Sequence, residues 1–297
     1  MLRWTAASIW PPRSSWAETG DYGASAGPRR VATLAGPMGF LTGFVDDLRR
    51  RLDEHPLDEG ALLARASARP PARDFVAALR EHSPAMIAEV KRASPSAGAI
   101  ADDADPIAQA TAYVDGGAAV ISVLTEPRHF HGSLADLEAV RIAVQVPVLR
   151  KDFLVHPAQV IEARARGADA VLLITASLTD DELTAMLATA RDLGMGALVE
   201  THADGELDRA LATGAEVIGV NARDLESLEV DVGRALERIG SIPSDRIAVF
   251  ESGIETRADV QTAVDAGASA ILVGEALMRA GDPRAAVRQL LGGASDA

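Results

Sequence analysis

The feature that most constrains this chain is a rhythm. From Met86 onward, short apolar runs rich in β-branched residues end near Lys91, Leu124, Lys151, Thr175, Glu200, Asn221, Glu251 and Gly274. The intervals between these ends run from 21 residues (Glu200 to Asn221) to 33 (Lys91 to Leu124). Helical patterns fill the gaps, as in 157–166, 179–193 and 256–266. Five runs are entered through a glycine-bearing turn: GGAAVIS, GADAVLL, GMGALVE, GAEVIGV and GASAILV. Those glycines stand where a helix C-cap belongs, just before the chain re-enters a sheet. Strands alternating with helices of crossover length form a parallel sheet. Eight such units without a low-complexity break predict an α/β protein with a closed (β/α)8 TIM barrel. A doubly wound open sheet is the alternative, but it has fewer strands and a GxGxxG first turn that this sequence lacks.

Ahead of the barrel the sequence changes character. Residues 1–37 hold all three tryptophans (Trp4, Trp10, Trp16) among Pro, Ser, Gly and Arg, with no helical or strand period. No apolar core of the signal-peptide kind is present. We expect 1–37 to be a disordered extension or a mis-assigned start, and 38–297 to be one barrel domain with an N-terminal helical extension over 40–80. Phe40, Leu41, Phe44, Val45, Leu48 and Leu52 have helical spacing. Two shorter helical patches, 57–68 and 73–80, are split by Pro70-Pro71.

Composition excludes several functions. The absence of cysteine removes disulfides, thiolate metal sites and a cysteine nucleophile. A net charge of −14 argues against nucleic acid and anionic membranes as partners. No run approaches the roughly 18 apolar residues of a membrane span. Among six histidines only His129 and His131 have metal-like spacing, and in their polar loop we expect surface histidines rather than ligands. No metal is expected.

In barrels of this kind the active site lies at the C-terminal ends of the strands. Glu89 and Lys91 end strand 1, Lys151 strand 3, Glu200 strand 5, Asn221 strand 6, and Glu251 with Ser252 strand 7; Gly274 and Glu275 follow strand 8. Their convergence on one rim outweighs the polarity common at any single strand end. Lysine occurs only at 91 and 151, every other basic residue being arginine. An ammonium that must be a compact charge or a tunable acid cannot be replaced by a guanidinium, so both lysines read as functional, although Glu89 and Lys91, two residues apart on one face, also fit a structural ion pair. The loops after strands 7 and 8 (ESGI and GEA, the latter opening a helix) fit a phosphate cradle of backbone N–H groups. The Glu275 carboxylate should point away from it. Two lysines, three glutamates and an asparagine suit proton transfers on a phosphorylated carbonyl compound, or a Schiff base. Two neighbouring lysines are expected to lower at least one ammonium pKa, with the glutamates opposing.

These motifs resemble the indole-3-glycerol phosphate synthase family of tryptophan biosynthesis. The matching stretches are IAEVKRASPS (87–96), SVLTE (122–126), FHGS (130–133), LRKDFLV (149–155), LLIT (172–175), ALVE (197–200), IGVNARDL (218–225), ESGI (251–254) and LVGEALMR (272–279), with PPARDFVAAL just ahead. The chain stops soon after the eighth strand's helix, which resembles the monofunctional form. The resemblance implies a cofactor-free carboxy-lyase that cyclises, decarboxylates and dehydrates 1-(2-carboxyphenylamino)-1-deoxyribulose 5-phosphate. It implies Lys151 as general acid, Lys91 as anion holder and later proton carrier, Glu200 as acid/base of dehydration, and Glu89 and Asn221 as orienting groups. It further implies Glu251, Ser252, Gly253 and Gly274 on the phosphate side, Ser94 and Arg223 near the anthranilate carboxylate, and Phe130 in substrate binding. A cytoplasmic location and other tryptophan-pathway enzymes as partners belong to the same implication. Three other readings stay open: a Schiff-base aldolase using Lys151, a barrel like phosphoribosylanthranilate isomerase, and a non-enzymatic scaffold.

Overall fold

The computed structural model describes residues 39–293; the expectations for 1–37 lie outside them. Eight parallel strands close into a barrel: β1 (Ala85–Val90), β2 (Val120–Leu124), β3 (Val148–Lys151), β4 (Ala170–Ile174), β5 (Gly196–Thr201), β6 (Val217–Asn221), β7 (Ile247–Glu251) and β8 (Ala270–Val273). Each pairs with its sequence neighbours and β1 also with β8, in registers such as Ile87 with Val120, Leu124 with Lys151, Asn221 with Glu251 and Ala85 with Ala270. The strands are buried along almost their whole length, as a sheet covered on both faces requires. Strand ends fall within one residue of those read from the sequence.

The glycine turns do what their position demands. Gly117, Gly167, Gly194, Gly214 and Gly267 have φ of 108°, 94°, 70°, 76° and 115°, a region costly for residues with a Cβ. Some helix starts, by contrast, come one or two residues later than the apolar pattern suggests, although the helix read from 157 does start at Pro157. Thr179 and Thr256 are extended N-caps whose hydroxyls accept from Glu182 and Asp259 N–H, so those helices begin at Asp180 and Arg257. A two-residue hairpin, Ala93–Ser94 against Gly98–Ala99, follows β1; sequences this short carry no periodicity to read.

Among the described residues three helices precede the barrel: α1 (Phe40–Glu54), α2 (Glu59–Ser67) and α3 (Phe75–Arg80). Phe75 of α3 lies against Gly196, the first residue of β5, where a Cβ would come 2.7 Å from its ring; α3 therefore packs at the strand-start end of the barrel. α2 packs on the helix Pro157–Ala165. α1 lies at the opposite end. Its Arg49 holds Glu182 at 2.5 Å, which pulls that carboxyl down to about 2. The loop after β6 caps its N-terminus, Glu226 accepting from Thr42 N–H at 3.1 Å through its side chain and from Phe40 N–H at 3.2 Å through its carbonyl. The helix buries Leu41, Phe44 and Val45. Among the described residues no helix is long and apolar enough to cross a membrane.

Candidate active site

A cavity of about 610 Å³ opens at the C-terminal ends of the strands, and every residue proposed for the site from sequence lines it: Glu89, Lys91, Ser94, Phe130, Lys151, Glu200, Asn221, Arg223, Glu251, Ser252, Gly253 and Gly274. Phe40, Asp152 and Phe153 line it as well. That volume lies within the usual range for small-molecule sites.

On its floor two ammonium groups meet three carboxyl groups. Lys91 Nζ is 2.9 Å from Glu89 Oε1. Lys151 Nζ is 2.7 Å from Glu200 Oε2 and 3.5 Å from Glu251 Oε2. Strands β3 and β7 stand four apart in an eight-strand ring, so Lys151 and Glu251 come from opposite walls and meet near the axis. Asn221 Nδ2 donates to Glu200 Oε1 at 3.1 Å, and its Oδ1 accepts from Ser252 Oγ at 2.8 Å and Arg223 N–H at 3.0 Å, which fixes the amide orientation.

At Lys151 the opposing glutamates prevail. Burial alone would lower the Lys151 pKa, but the charges of Glu200, Glu251 and Glu89 outweigh it and move that pKa upward. The second lysine does not depress the first, because each ammonium sits on its own carboxylate. Burial pushes the Glu251 carboxyl well above its ordinary range, and the neighbouring Glu200 charge pushes the same way. Burial would raise Glu200 also, but Lys151 and the Asn221 amide hold it below its ordinary value. The two carboxyls are thus shifted in opposite directions, Glu251 upward and Glu200 downward.

Glu251 also departs from its implied place on the phosphate side. Its side chain belongs to the Lys151 cluster, where the ammonium is 3.5 Å from Oε2 and neither oxygen accepts a well-formed hydrogen bond from a described residue; a carboxylate beside a phosphate would oppose it. The two loops expected to cradle an anion have distinctive backbone geometry. Ser252 and Gly253 take consecutive positive φ values of 68° and 74°, and Gly274 opens the short helix Glu275–Met278. A Cβ on Gly274 would lie 2.4 Å from Glu89 Oε1, so this glycine also leaves room for the Lys91 partner. The Glu275 carboxylate turns onto Arg279 at 3.0 Å, as expected.

The opposite wall is aromatic. Phe153, just after β3, packs on Phe44 with ring centres 4.4 Å apart, and Phe130 and Phe40 lie 6.2 and 6.3 Å from it. The sequence reading took Phe40 for the apolar stripe of a helix and did not place Phe153 in the site. His131 is exposed as expected, but His129 is half-buried, edge-on to Phe40 and Phe44 at 5.2 and 5.6 Å. Among the described residues no cluster of His, Asp or Glu could hold a metal. The buried Glu126 carboxylate accepts from the N–H groups of Arg128, His129 and Phe130 at 2.8, 2.6 and 3.2 Å, ordering the loop that carries Phe130.

A closed barrel with a backbone anion cradle after β7 and β8, facing paired lysines and glutamates, defines an enzyme of the phosphate-binding (β/α)8 class. Solved structures agree on the fold: 3-hexulose-6-phosphate synthase aligns with a TM-score of 0.56 at 19% identity, covering 70% of this chain and 98% of that one. Thiamine phosphate pyrophosphorylase from Pyrococcus furiosus aligns at 0.52 and 17%, covering 71% and 95%. The family itself is set by sequence. The profile of indole-3-glycerol phosphate synthase matches residues 43–290. The chain is 57% identical to indole-3-glycerol phosphate synthase of Mycobacterium avium over 228 residues, covering 77% of this chain and 84% of the relative. The Rhodococcus opacus protein of that name is 54% identical over 252 residues, covering 85% and 93%. The chain belongs to the indole-3-glycerol phosphate synthase family.

Proposed function

We propose that this chain converts 1-(2-carboxyphenylamino)-1-deoxyribulose 5-phosphate to indole-3-glycerol phosphate, releasing carbon dioxide and water. One observation carries the reading: the cavity has an aromatic wall at β2 and β3, an anion cradle at β7 and β8, and Lys151 between them. A substrate with an arylamine at one end and a phosphate at the other, lying across it, brings its ribulose carbonyl over the Lys151 ammonium.

Lys151 donates a proton to the carbonyl oxygen as the arene carbon attacks, so no alkoxide forms unassisted. Its raised pKa keeps it protonated in the free enzyme; the alkoxide of the ring-closed intermediate is a far stronger base and takes the proton. Arg223 and Ser94 lie where they can hold the arene carboxylate until it leaves as carbon dioxide. Glu200, ionised and aimed by Asn221, then moves the protons of dehydration, with Lys91 as the second acid.

Purified protein given the carboxyphenylamino substrate should yield a fluorescent indole product and one carbon dioxide per turnover. Borohydride added during turnover should trap nothing on Lys151; a reduced covalent adduct there would support the aldolase reading. The same proposal takes residues 38–297 as the functional unit, working in the cytoplasm beside the other enzymes of tryptophan biosynthesis.

A further inference from the structure

Behind the cavity, and not lining it, stands His202, the residue after β5. Its Nδ1 lies 2.7 Å from the backbone carbonyl oxygen of Asn221. A carbonyl only accepts, so Nδ1 carries a proton. On the other side Nε2 lies 3.3 Å from Asp224 Oδ2, and an ionised carboxylate also only accepts, so a hydrogen bond there requires a proton on Nε2 as well. The other charged neighbours are engaged elsewhere: Glu206 accepts the His202 backbone N–H at 2.7 Å, and Asp204 is turned onto Arg238 at 2.8 Å and onto Arg234.

The two contacts reach different parts of the site. Asn221 aims Glu200. Asp224 anchors the loop after β6: its Oδ1 accepts from Glu226 and Ser227 N–H at 2.6 and 3.0 Å, and its backbone pairs with Glu229 and Leu228. That loop carries Arg223, whose Nη1 donates to Leu228 O at 2.9 Å. It also caps α1 through Glu226, and α1 brings Phe40 to the cavity. Burial opposes the Asp224 charge, but the backbone N–H groups of Ser227 and Glu226 and the His202 ring hold its carboxyl below the ordinary range.

We propose that His202 is a positioning residue with two separable tasks, Nδ1–H fixing the Asn221–Glu200 pair and Nε2–H fixing the Arg223 loop. The proposal rests on the reading of Glu200 and Arg223 given above. Asparagine places its amide near Nδ1 and glutamine near Nε2, so two near-isosteric variants divide the tasks. His202→Asn should keep kcat within about threefold and raise KM by about tenfold, the scale of one charge-assisted hydrogen bond. His202→Gln should lower kcat by about tenfold with KM nearly unchanged. Equal losses of kcat and KM in both variants, following their melting temperatures, would overturn the proposal. An inactive wild-type protein would instead refute the function assigned to the site. Should neither variant fold, imidazole ¹⁵N spectra of the wild-type protein decide: both ring nitrogens protonated at neutral pH supports the two contacts, and an unprotonated Nδ1 or Nε2 refutes them.

Discussion

Replacing Lys151 by arginine separates charge from acidity. The guanidinium keeps the positive charge against Glu200, and the roughly 610 Å³ cavity gives the larger head room. Stability should therefore change by less than about 1 kcal/mol, as charge and most of the burial persist. Catalysis should not survive. The planar fork pairs bidentately with Glu200, which draws that carboxylate off the substrate and displaces the donated proton from the carbonyl oxygen it must reach. A positioned acid contributes at least about 10²-fold, or about 2.7 kcal/mol of barrier. The assay is single-turnover formation of the fluorescent indole product, where product release does not mask chemistry, together with thermal unfolding. A Lys151→Arg rate within threefold of wild type would refute the acid role and pass it to Lys91. Lys151→Met provides the contrast: it strips Glu200 of its counter-charge, and such losses cost about 3–5 kcal/mol unless the carboxylate takes up a proton.

Glu251→Gln should flatten the alkaline side of the stability profile. The raised folded-state pKa means that wild type is fully stabilised below the ordinary value of 4.5 and loses that contribution as pH rises through the folded value. The variant has no such group to titrate, so its melting temperature should fall less than that of wild type as pH rises through that range; parallel curves would refute the shift. The depressed Glu200 acts in the opposite window, its stabilisation being lost as pH falls through its folded pKa. Gly274→Ala should fold, because the 2.4 Å approach is to the movable end of Glu89, yet lower kcat/KM by about tenfold as Glu89 leaves Lys91; an unchanged value would mean that this pair has no part in turnover. Arg223→Ala should raise KM more than it lowers kcat, and a melting-temperature loss with unchanged KM would reduce Arg223 to a loop staple on Leu228 O. Removing residues 1–37 should leave kcat and melting temperature within error, since the family match begins at residue 43 and α1 at Phe40.

The barrel was legible because its signal is repeated. Eight apolar runs and five glycine turns each restate one geometry, so an error of a residue at Lys91 or Thr175 changes nothing. Site membership was legible for the same reason: strand ends converge on one rim whatever the loops do. Pairing across the barrel was not. Nothing in the spacing of Lys151 and Glu251 along the chain says that they meet at 3.5 Å, and so the balance between lysines and glutamates at Lys151 was not legible from the sequence. Phe40 illustrates another limit. Its helical spacing identified an apolar stripe, but only the Glu226 cap places that stripe over the cavity. His202 gave no signal, because its task depends on a backbone carbonyl, which every residue has.

The charge arithmetic of the floor explains how a chain of net charge −14 receives an anionic substrate. Lys91 is matched by Glu89 and Lys151 by Glu200, which leaves Glu251 to decide the sign. Ionised, it would make the floor anionic beneath the reacting carbonyl. Its own burial and the Glu200 charge shift it towards the protonated form, in which the floor is neutral. The attraction for the substrate then comes from groups without acidic partners among the described residues: the N–H groups after β7 and β8, and the Arg223 guanidinium, which donates to a carbonyl. Burying a carboxyl without a hydrogen-bond donor costs stability. Here the same burial, with the Glu200 charge beside it, works against a second negative charge at the centre of the floor.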